Sequence, residues 1–335
     1  MTGRKRTSTA PETAPAAAGP GPMERSIEPT MAIETRELRK QFGRVVALAG
    51  LTMTVQRGEV FGFLGPNGAG KTTAVKLLLG LAEPTAGGGT VLGAPLGDVR
   101  TRARIGYLPE LFRYQGWMTA REVLALHCDL AGLPRSSWGE EIDEALALVG
   151  LVERADTKVQ GFSKGMQQRL GLGVALLGEP ELVVLDEPTS ALDPVGRQEV
   201  REIIGSLRAR GSTVFLNSHL LTEVERVCDR VAIVDRGRVL TELNMAELLR
   251  ENGVRIRVSG LAAPVRIAGR FGRARLDGEW LAVDAVEDAR VPALVAELVK
   301  AGGAVHAVVP SRDSLEDRFL SLLGADPGST PAVGQ

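Results

Sequence analysis

Gly65-Pro66-Asn67-Gly68-Ala69-Gly70-Lys71-Thr72-Thr73 follows the apolar run Glu59 to Leu64 and opens onto the apolar segment Thr73 to Leu79. The spacing is G-x-x-x-x-G-K-T, the pattern of a phosphate-cradling loop. Glycines leave successive backbone N–H groups free to curl around an anion, because no Cβ blocks the approach or the φ > 0 conformations. A helix leaving such a loop points its positive end at the same anion. Lys71 adds a mobile point charge for the terminal phosphates, and Thr72 offers a hydroxyl to a divalent cation. The order buried strand, glycine loop, apolar helix is the context the motif requires, and it predicts an α/β fold.

A second stretch completes the chemistry. Leu182-Val183-Val184-Leu185-Asp186-Glu187 is a run of branched apolar residues ending in two carboxylates. Such a run suits a parallel strand covered on both faces. Ligands bind at the carboxyl ends of strands in open α/β sheets. Asp186 is therefore expected to reach Mg²⁺ through water, and Glu187 to orient and deprotonate an attacking water. Upstream, Phe162-Ser163-Lys164-Gly165-Met166-Gln167-Gln168-Arg169 places a capping serine before a helix, a second site suited to an anion.

In this order the motifs resemble those of the ATP-binding subunit of an ABC transporter, over roughly residues 31–240. Gly65 to Thr73 corresponds to the Walker A loop and Leu182 to Glu187 to Walker B with its catalytic glutamate. Ser163 to Met166 corresponds to the signature motif, and Ser190-Ala191-Leu192-Asp193 to the D-loop. Asn217-Ser218-His219 corresponds to the switch-histidine loop after the apolar strand Thr213 to Leu216. Phe42, in Lys40-Gln41-Phe42-Gly43, stands where the family places an aromatic that stacks on adenine. The resemblance implies ATP and Mg²⁺ as ligands, with Gly65, Pro66, Asn67, Gly68, Ala69, Gly70, Lys71, Thr72 and Thr73 around the phosphates. It implies Glu187, His219 and Lys71 as catalytic residues, and Thr72, Asp186 and Glu110 around the metal. Ser163 and Gly165 would act on the nucleotide of a second subunit, and Asp193 of the D-loop is expected among the nucleotide-binding residues. A single chain would then supply half of each site, which implies a pair of nucleotide-binding subunits, expected to be a homodimer, working on an integral membrane permease.

Two motifs depart from the family pattern. After Gly106-Tyr107-Leu108-Pro109 the expected glutamine is Glu110, an acceptor only when ionised. The signature carries Lys164 and Met166 where Gly and Gln are commonest. Ser314-Leu315-Glu316-Asp317-Arg318-Phe319 resembles a short motif near the end of ATPases of the ABC-2 export branch, whose cargoes include drugs, antibiotics, lipids and polysaccharides. The same stretch also reads as an amphipathic helix packing through Leu315, Phe319 and Leu322. Together these features favour export. The alternative within the resemblance is a soluble ABC ATPase of translation or DNA repair. Those relatives carry two sets of motifs or long coiled coils, and this chain has one set and no heptad run.

Composition narrows the remaining classes. The formal net charge is −1 over 335 residues, without the basic footprint of a nucleic-acid binder, so no nucleic-acid partner is expected. Cys128 and Cys228 form no C-x-x-C pair, and no metal-thiolate site or disulfide framework follows. No apolar run approaches the about 20 residues of a membrane span, and Arg4, Lys5 and Arg6 precede no apolar segment of a secretory signal. A peripheral place at the cytoplasmic face of the membrane, through the permease, is the resulting expectation.

Along the chain, residues 1–30 are rich in Ala, Pro, Gly, Thr and Ser and read as a disordered tail. Residues 31–240 form the expected ATP-binding domain, a P-loop NTPase core with a helical subdomain over about 111–165. Within that insert Thr119 to Glu122 reads as a capping box. From 241 to 325 the pattern changes. Val254, Ile256 and Val258 alternate with arginines, and helix, strand and helix follow over Val291 to Val299, Ala304 to Val309 and Ser314 to Leu323. This is the expected small C-terminal α+β domain, with a second tail over 326–335.

Overall fold

Val60–Leu64, Leu182–Asp186 and Thr213–Asn217 are buried at every position, as strands covered on both faces must be. The computed structural model describes residues 1–3, 31–190, 192–248, 253–311 and 314–324. The expected tails, apart from residues 1–3, lie outside the described residues, as does Ala191 of the D-loop. In chain order, β1 (Met31–Phe42) and β2 (Val45–Gln56) form a hairpin, and β3 (Val60–Leu64) leads through the glycine loop into α1 (Lys71–Leu78). β4 (Ala86–Val91) and β5 (Ala94–Pro95) extend the hairpin sheet, and α2 (Val99–Arg102) precedes β6 (Ile105–Leu108). Three helices follow, α3 (Ala120–Leu130), α4 (Trp138–Leu148) and α5 (Lys164–Leu176). Then come β7 (Leu182–Asp186), α6 (Pro194–Ala209), β8 (Thr213–Asn217), α7 (Leu221–Val227), β9 (Arg230–Asp235), β10 (Arg238–Asn244) and α8 (Met245–Leu248). The remainder runs β11 (Gly253–Ser259), α9 (Pro264–Ala268), β12 (Arg273–Asp277), β13 (Trp280–Asp284), α10 (Val291–Lys300), β14 (Ala304–Ser311) and α11 (Leu315–Leu323).

The central sheet has the order β10-β9-β3-β8-β7-β6 and is parallel except for β10. Alternate residues of its strands feed two different cores. Val60, Leu64, Val183, Leu185, Val214 and Leu216 point toward the helices α3 to α6. Phe61, Phe63, Val184 and Phe215 point toward α1 and the hairpin sheet. The second set includes an aromatic stack, with the Phe63 and Phe215 ring centroids 5.3 Å apart. Both sets are needed at once, which is why these strands are continuous apolar runs rather than alternating ones. Asp186 pairs with Asn217 and Phe63 with Asn217, so the strand ends that carry chemistry finish at one level.

The capping box forms. The Thr119 side chain accepts from the Glu122 N–H at 3.2 Å and the Glu122 carboxylate accepts from the Thr119 N–H at 2.7 Å, starting α3.

The C-terminal elements β11-α9-β12-β13-α10-β14 follow the β-α-β-β-α-β order of a split βαβ fold, with sheet order β12-β13-β11-β14. Its own core is Val254, Ile256, Leu281, Val283, Leu294 and Leu298. The structure differs in two places from an accessory unit spanning 241–325. The boundary at 240 falls inside β10, and Met245 and Leu248 of α8 belong to the larger core. At the other end α11 leaves the small sheet, and Leu315 is fully buried in the larger core. Phe319 packs there too, while Leu322, expected on the packed face, is exposed.

Candidate active site

The glycine loop leaves β3 at Leu64 and is shaped by close backbone approaches. A Cβ on Gly65 would lie 2.3 Å from the Val234 carbonyl oxygen, so no larger residue fits there. Gly68 has φ +84° and nothing within 4 Å of where a Cβ would sit, so its open side faces the cavity the loop encloses. Gly70 caps α1 with φ 102° and no side chain occupies the first-turn N–H groups, which stay available to an anion. The Lys71 ammonium folds back over the loop and donates to the carbonyls of Gly65 at 2.7 Å and Pro66 at 3.3 Å. A phosphate would replace acceptors that Lys71 now borrows from its own backbone.

A cavity of about 630 Å³ opens above this loop. Gly65, Pro66, Asn67, Gly68, Gly70, Lys71, Thr72 and Thr73 line it from below; Asp186, Glu187, Asn217, Ser218 and His219 line it from the ends of β7 and β8, and Glu110 from the end of β6. Ala69 is buried beneath the loop and accepts from the Gly237 N–H at 2.9 Å. A larger cavity of about 870 Å³ at the opposite ends of the strands, bordered by Glu144, Glu181 and Arg210, has none of these groups.

The charges in the site are unbalanced. Burial pushes the Lys71 ammonium below its ordinary value, against the pull of Glu187, Asp186 and Glu110. Burial pushes the Asp186 carboxyl up. A hydrogen bond from Asn217 Nδ2 opposes the rise, and the neighbouring charges of Glu110 and Glu187 add to it. Tyr107, beside them on β6, is pushed up to about 12 by burial and by the same acidic neighbours, Asp186 and Glu110. Three carboxylates thus face one lysine in a partly dehydrated space, an arrangement that favours an added cation. Among the described residues no group of three metal-ligating side chains is close enough to hold an ion alone. A cation here would need the oxygens of a second ligand.

Glu187 sits in a strained backbone conformation with φ 54°. Its N–H donates to the Asn217 carbonyl at 2.9 Å and its own carbonyl accepts from the Ser190 hydroxyl at 3.1 Å, which hold the turn. His219 Nδ1 lies 2.8 Å from Glu187 Oε2. The approach is not aligned as a hydrogen bond, and Glu187 Oε2 stays buried without a hydrogen-bond partner. The carboxylate and the imidazole thus stand side by side at the wall of the cavity above the phosphate loop.

Besides Ala69, four of the expected residues stay outside the cavity. Ser163 caps α5 by accepting from the Met166 N–H at 3.2 Å, and Asp193 caps α6 by accepting from the Gly196 N–H at 2.8 Å. A Cβ on Gly165 would lie 3.3 Å from Leu192, so the signature helix and the D-loop abut each other. Phe42 is half exposed, with the Lys40 ammonium 4.9 Å from its ring centroid, and it does not line the cavity. The lining beside it comes from Val45, Val46 and Ala47 of β2. Those three and Leu221 are not among the residues the sequence singles out, and Phe319 is singled out there only in its motif and as a packing residue of its helix. Exposed valines just after the Gly43-Arg44 turn were the available signal for the first pair; Phe319 had none near it in the chain.

The family model described as ABC transporter matches residues 48–190. An uncharacterised ABC transporter ATP-binding protein of Nostoc sp. is 39% identical over 309 residues, covering 87% of this chain and 89% of that protein. Nod factor export ATP-binding protein I of Rhizobium sp. is 40% identical over 224 residues, covering 66% of this chain and 74% of that protein. Among solved structures, an ATP-binding subunit of an ABC transporter superposes with a TM-score of 0.60 at 31% identity, over 65% of this chain and 91% of the other.

Proposed function

The chain belongs to the ATP-binding subunits of ABC transporters and is an ATPase of that family; from that premise we propose how its residues share the work and what the work serves. The observation that carries the reading is the meeting of Lys71, Thr72, Asp186, Glu187 and His219 around one cavity, while Ser163, Gly165 and Asp193 stand outside it. The loop N–H groups and Lys71 bind the phosphates. Thr72, Asp186 and Glu110 would hold Mg²⁺, which when bound neutralises charge on the phosphate oxygens. Glu187 accepts the proton of the attacking water, and His219 orients that water and donates to the γ-phosphate. The outward Ser163, Gly165 and Asp193 complete the site of a second copy, so the working unit is a homodimer.

The cleft beside Glu110 supports a membrane partner. It is about 770 Å³, is lined by Phe112, Tyr114, Leu126 and Leu130, and has the strongly exposed Leu111 and Trp117 nearby. Exposed apolar side chains of this size mark an interaction surface. No helix among the described residues is long and apolar enough to cross a membrane. On the present reading the span belongs to a separate permease, and this subunit works on it at the cytoplasmic membrane face. The export role in the name of the Rhizobium relative supports export as the direction.

The test is to purify the tagged chain from detergent-solubilised membranes of its own cells, as wild type and as Glu187→Gln, and to measure turnover and ATP retention. A polytopic membrane protein is expected in both preparations. Turnover in Glu187→Gln should fall about 10²- to 10⁴-fold with ATP still bound. Recovery without any membrane protein would remove the transporter assignment, and near-normal turnover would remove Glu187 as the base.

A further inference from the structure

α11 belongs to the C-terminal part of the chain by sequence and to the ATPase core by contact. Leu315 in its first turn is fully buried among the residues of the larger core, not those of the small sheet. The Leu315 N–H donates to Glu225 Oε2 of α7 at 3.3 Å. Ser314 fixes the start of α11 by accepting from the Asp317 N–H at 3.0 Å. One turn on, Phe319 packs on the same core and lines the nucleotide cavity together with Leu221, the first residue of α7.

α7 is poorly supported by its own sequence. It has seven residues and its N-cap, Leu220, gives no side-chain hydrogen bond to the first turn. A helix so short depends on tertiary packing. Toward its end that packing is tight, since a Cβ on Gly62 of β3 would lie 2.9 Å from Val224 and 3.1 Å from Cys228. Its first turn, which follows His219 directly, has Leu221 at the cavity wall and Phe319 on the same wall.

We propose that Phe319 is a positioning residue for ATP hydrolysis. Lining the same cavity wall as Leu221 of α7 and packed on the same core, it holds the Ser218-His219-Leu220 segment where His219 meets Glu187, and it keeps an apolar surface on that side of the cavity. The C-terminal unit is thereby tied to the hydrolysis end of the site. This rests on the proposed roles of Glu187 and His219.

A double-mutant cycle on the full-length chain with its membrane partner tests this, using single-turnover ATP hydrolysis, binding of a fluorescent ATP analogue and thermal midpoints. A catalytic group displaced by about 1 Å loses up to 10²-fold in rate, so Phe319→Ala is expected to slow hydrolysis about tenfold. Binding of the analogue should change less than about twofold, and Phe319→Leu should recover part of the rate, to about threefold below wild type. In a His219→Ala background the Phe319→Ala change should cost less than about twofold, because the group it positions is gone. If Phe319→Ala does not fold, Phe319→Leu runs the same cycle, with a loss of about threefold confined to the His219 background. A wild-type rate for Phe319→Ala, or an equal loss with and without His219, overturns the proposal. His219→Ala reports separately on the premise. A wild-type rate in that variant removes the role given to His219, whereas a slow His219→Ala beside an unaffected Phe319→Ala removes the present inference alone.

Discussion

The two ends of β7 carry carboxylates that the fold treats in opposite ways. At the entry, Glu181 accepts from Arg57 Nη1 and Arg104 Nη2, each at 2.6 Å, and its carboxyl is held down at about 2 by the Arg104 and Arg57 hydrogen bonds. At the exit, five residues later, Asp186 is buried with Glu110 and Glu187 nearby and only Lys71 as a cation, and burial pushes its carboxyl up. Glu181 is paired with two arginines of the chain itself, whereas Asp186 has Asn217 as its hydrogen-bond partner and two carboxylates for neighbours. The strand between them is one apolar run, so the difference comes from what each end faces. Buried carboxylates gathered around one lysine at the exit, against an exposed and paired one at the entry, mark the exit as the candidate ligand site.

The largest consequence for stability is at Asp186. A carboxyl whose folded pKa stands above its ordinary 3.8 holds its proton more tightly in the fold than in the unfolded chain. Its contribution is fully present below that ordinary value and is lost as pH rises through the raised folded value, so at neutral pH the ionised group is a cost. Asp186→Asn keeps the shape and removes the charge. Without nucleotide this variant is expected to melt about 2–4 °C above wild type, and the order should reverse when Mg²⁺ and ATP are added, since wild type alone then gains. Melting below wild type in the absence of ligand would break the contrast between the two ends of β7.

The exit end of β7 was legible in the sequence because its parts are local. Leu182 to Glu187 states in six residues both the burial and the chemistry, and Gly65 to Thr73 does the same for the loop. What was not legible came from distant segments. Val45 and Val46 reach the cavity because a hairpin folds over it, and Phe319 because α11 crosses from one unit to the other. The split βαβ unit was seen only in part. β12 is Arg-Ala-Arg-Leu-Asp at a sheet edge with Leu276 exposed, and α9 has five residues, so neither has the one-sided apolar pattern that periodicity detects. The unit that buries residues on one face writes a weaker signal than the sheet buried on both.

Phe42 sharpens the contrast from a side without charge. It stands at the end of β1, outside the cavity lining, with Lys40 over its ring. If adenine stacks on it, the contribution is at the lower end of base–aromatic stacking, about 1 kcal/mol. Phe42→Ala is then expected to raise KM for ATP about fivefold and to leave kcat and the thermal midpoint of the nucleotide-free chain unchanged. A change in kcat would mean that the nucleobase end and the carboxylate end of the cavity are coupled, and the site could not be divided as proposed.

The smallest effect belongs to the entry end. The Glu181 side chain is 40% exposed, so its pairs with Arg57 and Arg104 are screened by water and contribute little, within the range of about 0–1 kcal/mol for exposed ion pairs. Glu181→Gln should leave turnover unchanged and lower the thermal midpoint by about 1 °C near neutral pH. A carboxyl held down at about 2 gives stability that is present above its ordinary 4.5 and lost as pH falls toward 2. The difference in urea midpoint between wild type and Glu181→Gln should therefore be constant from pH 7 to about 5 and shrink below that. Asp186→Asn, referred to the same wild type, should likewise lose its advantage on acidification, because protonation of Asp186 removes the charge that the substitution removed. Both differences would narrow toward low pH from opposite signs, one variant starting above wild type and the other below. Two variants displaced in the same direction would mean that the two carboxylates of β7 sit in like environments, and the site would have to be argued without them.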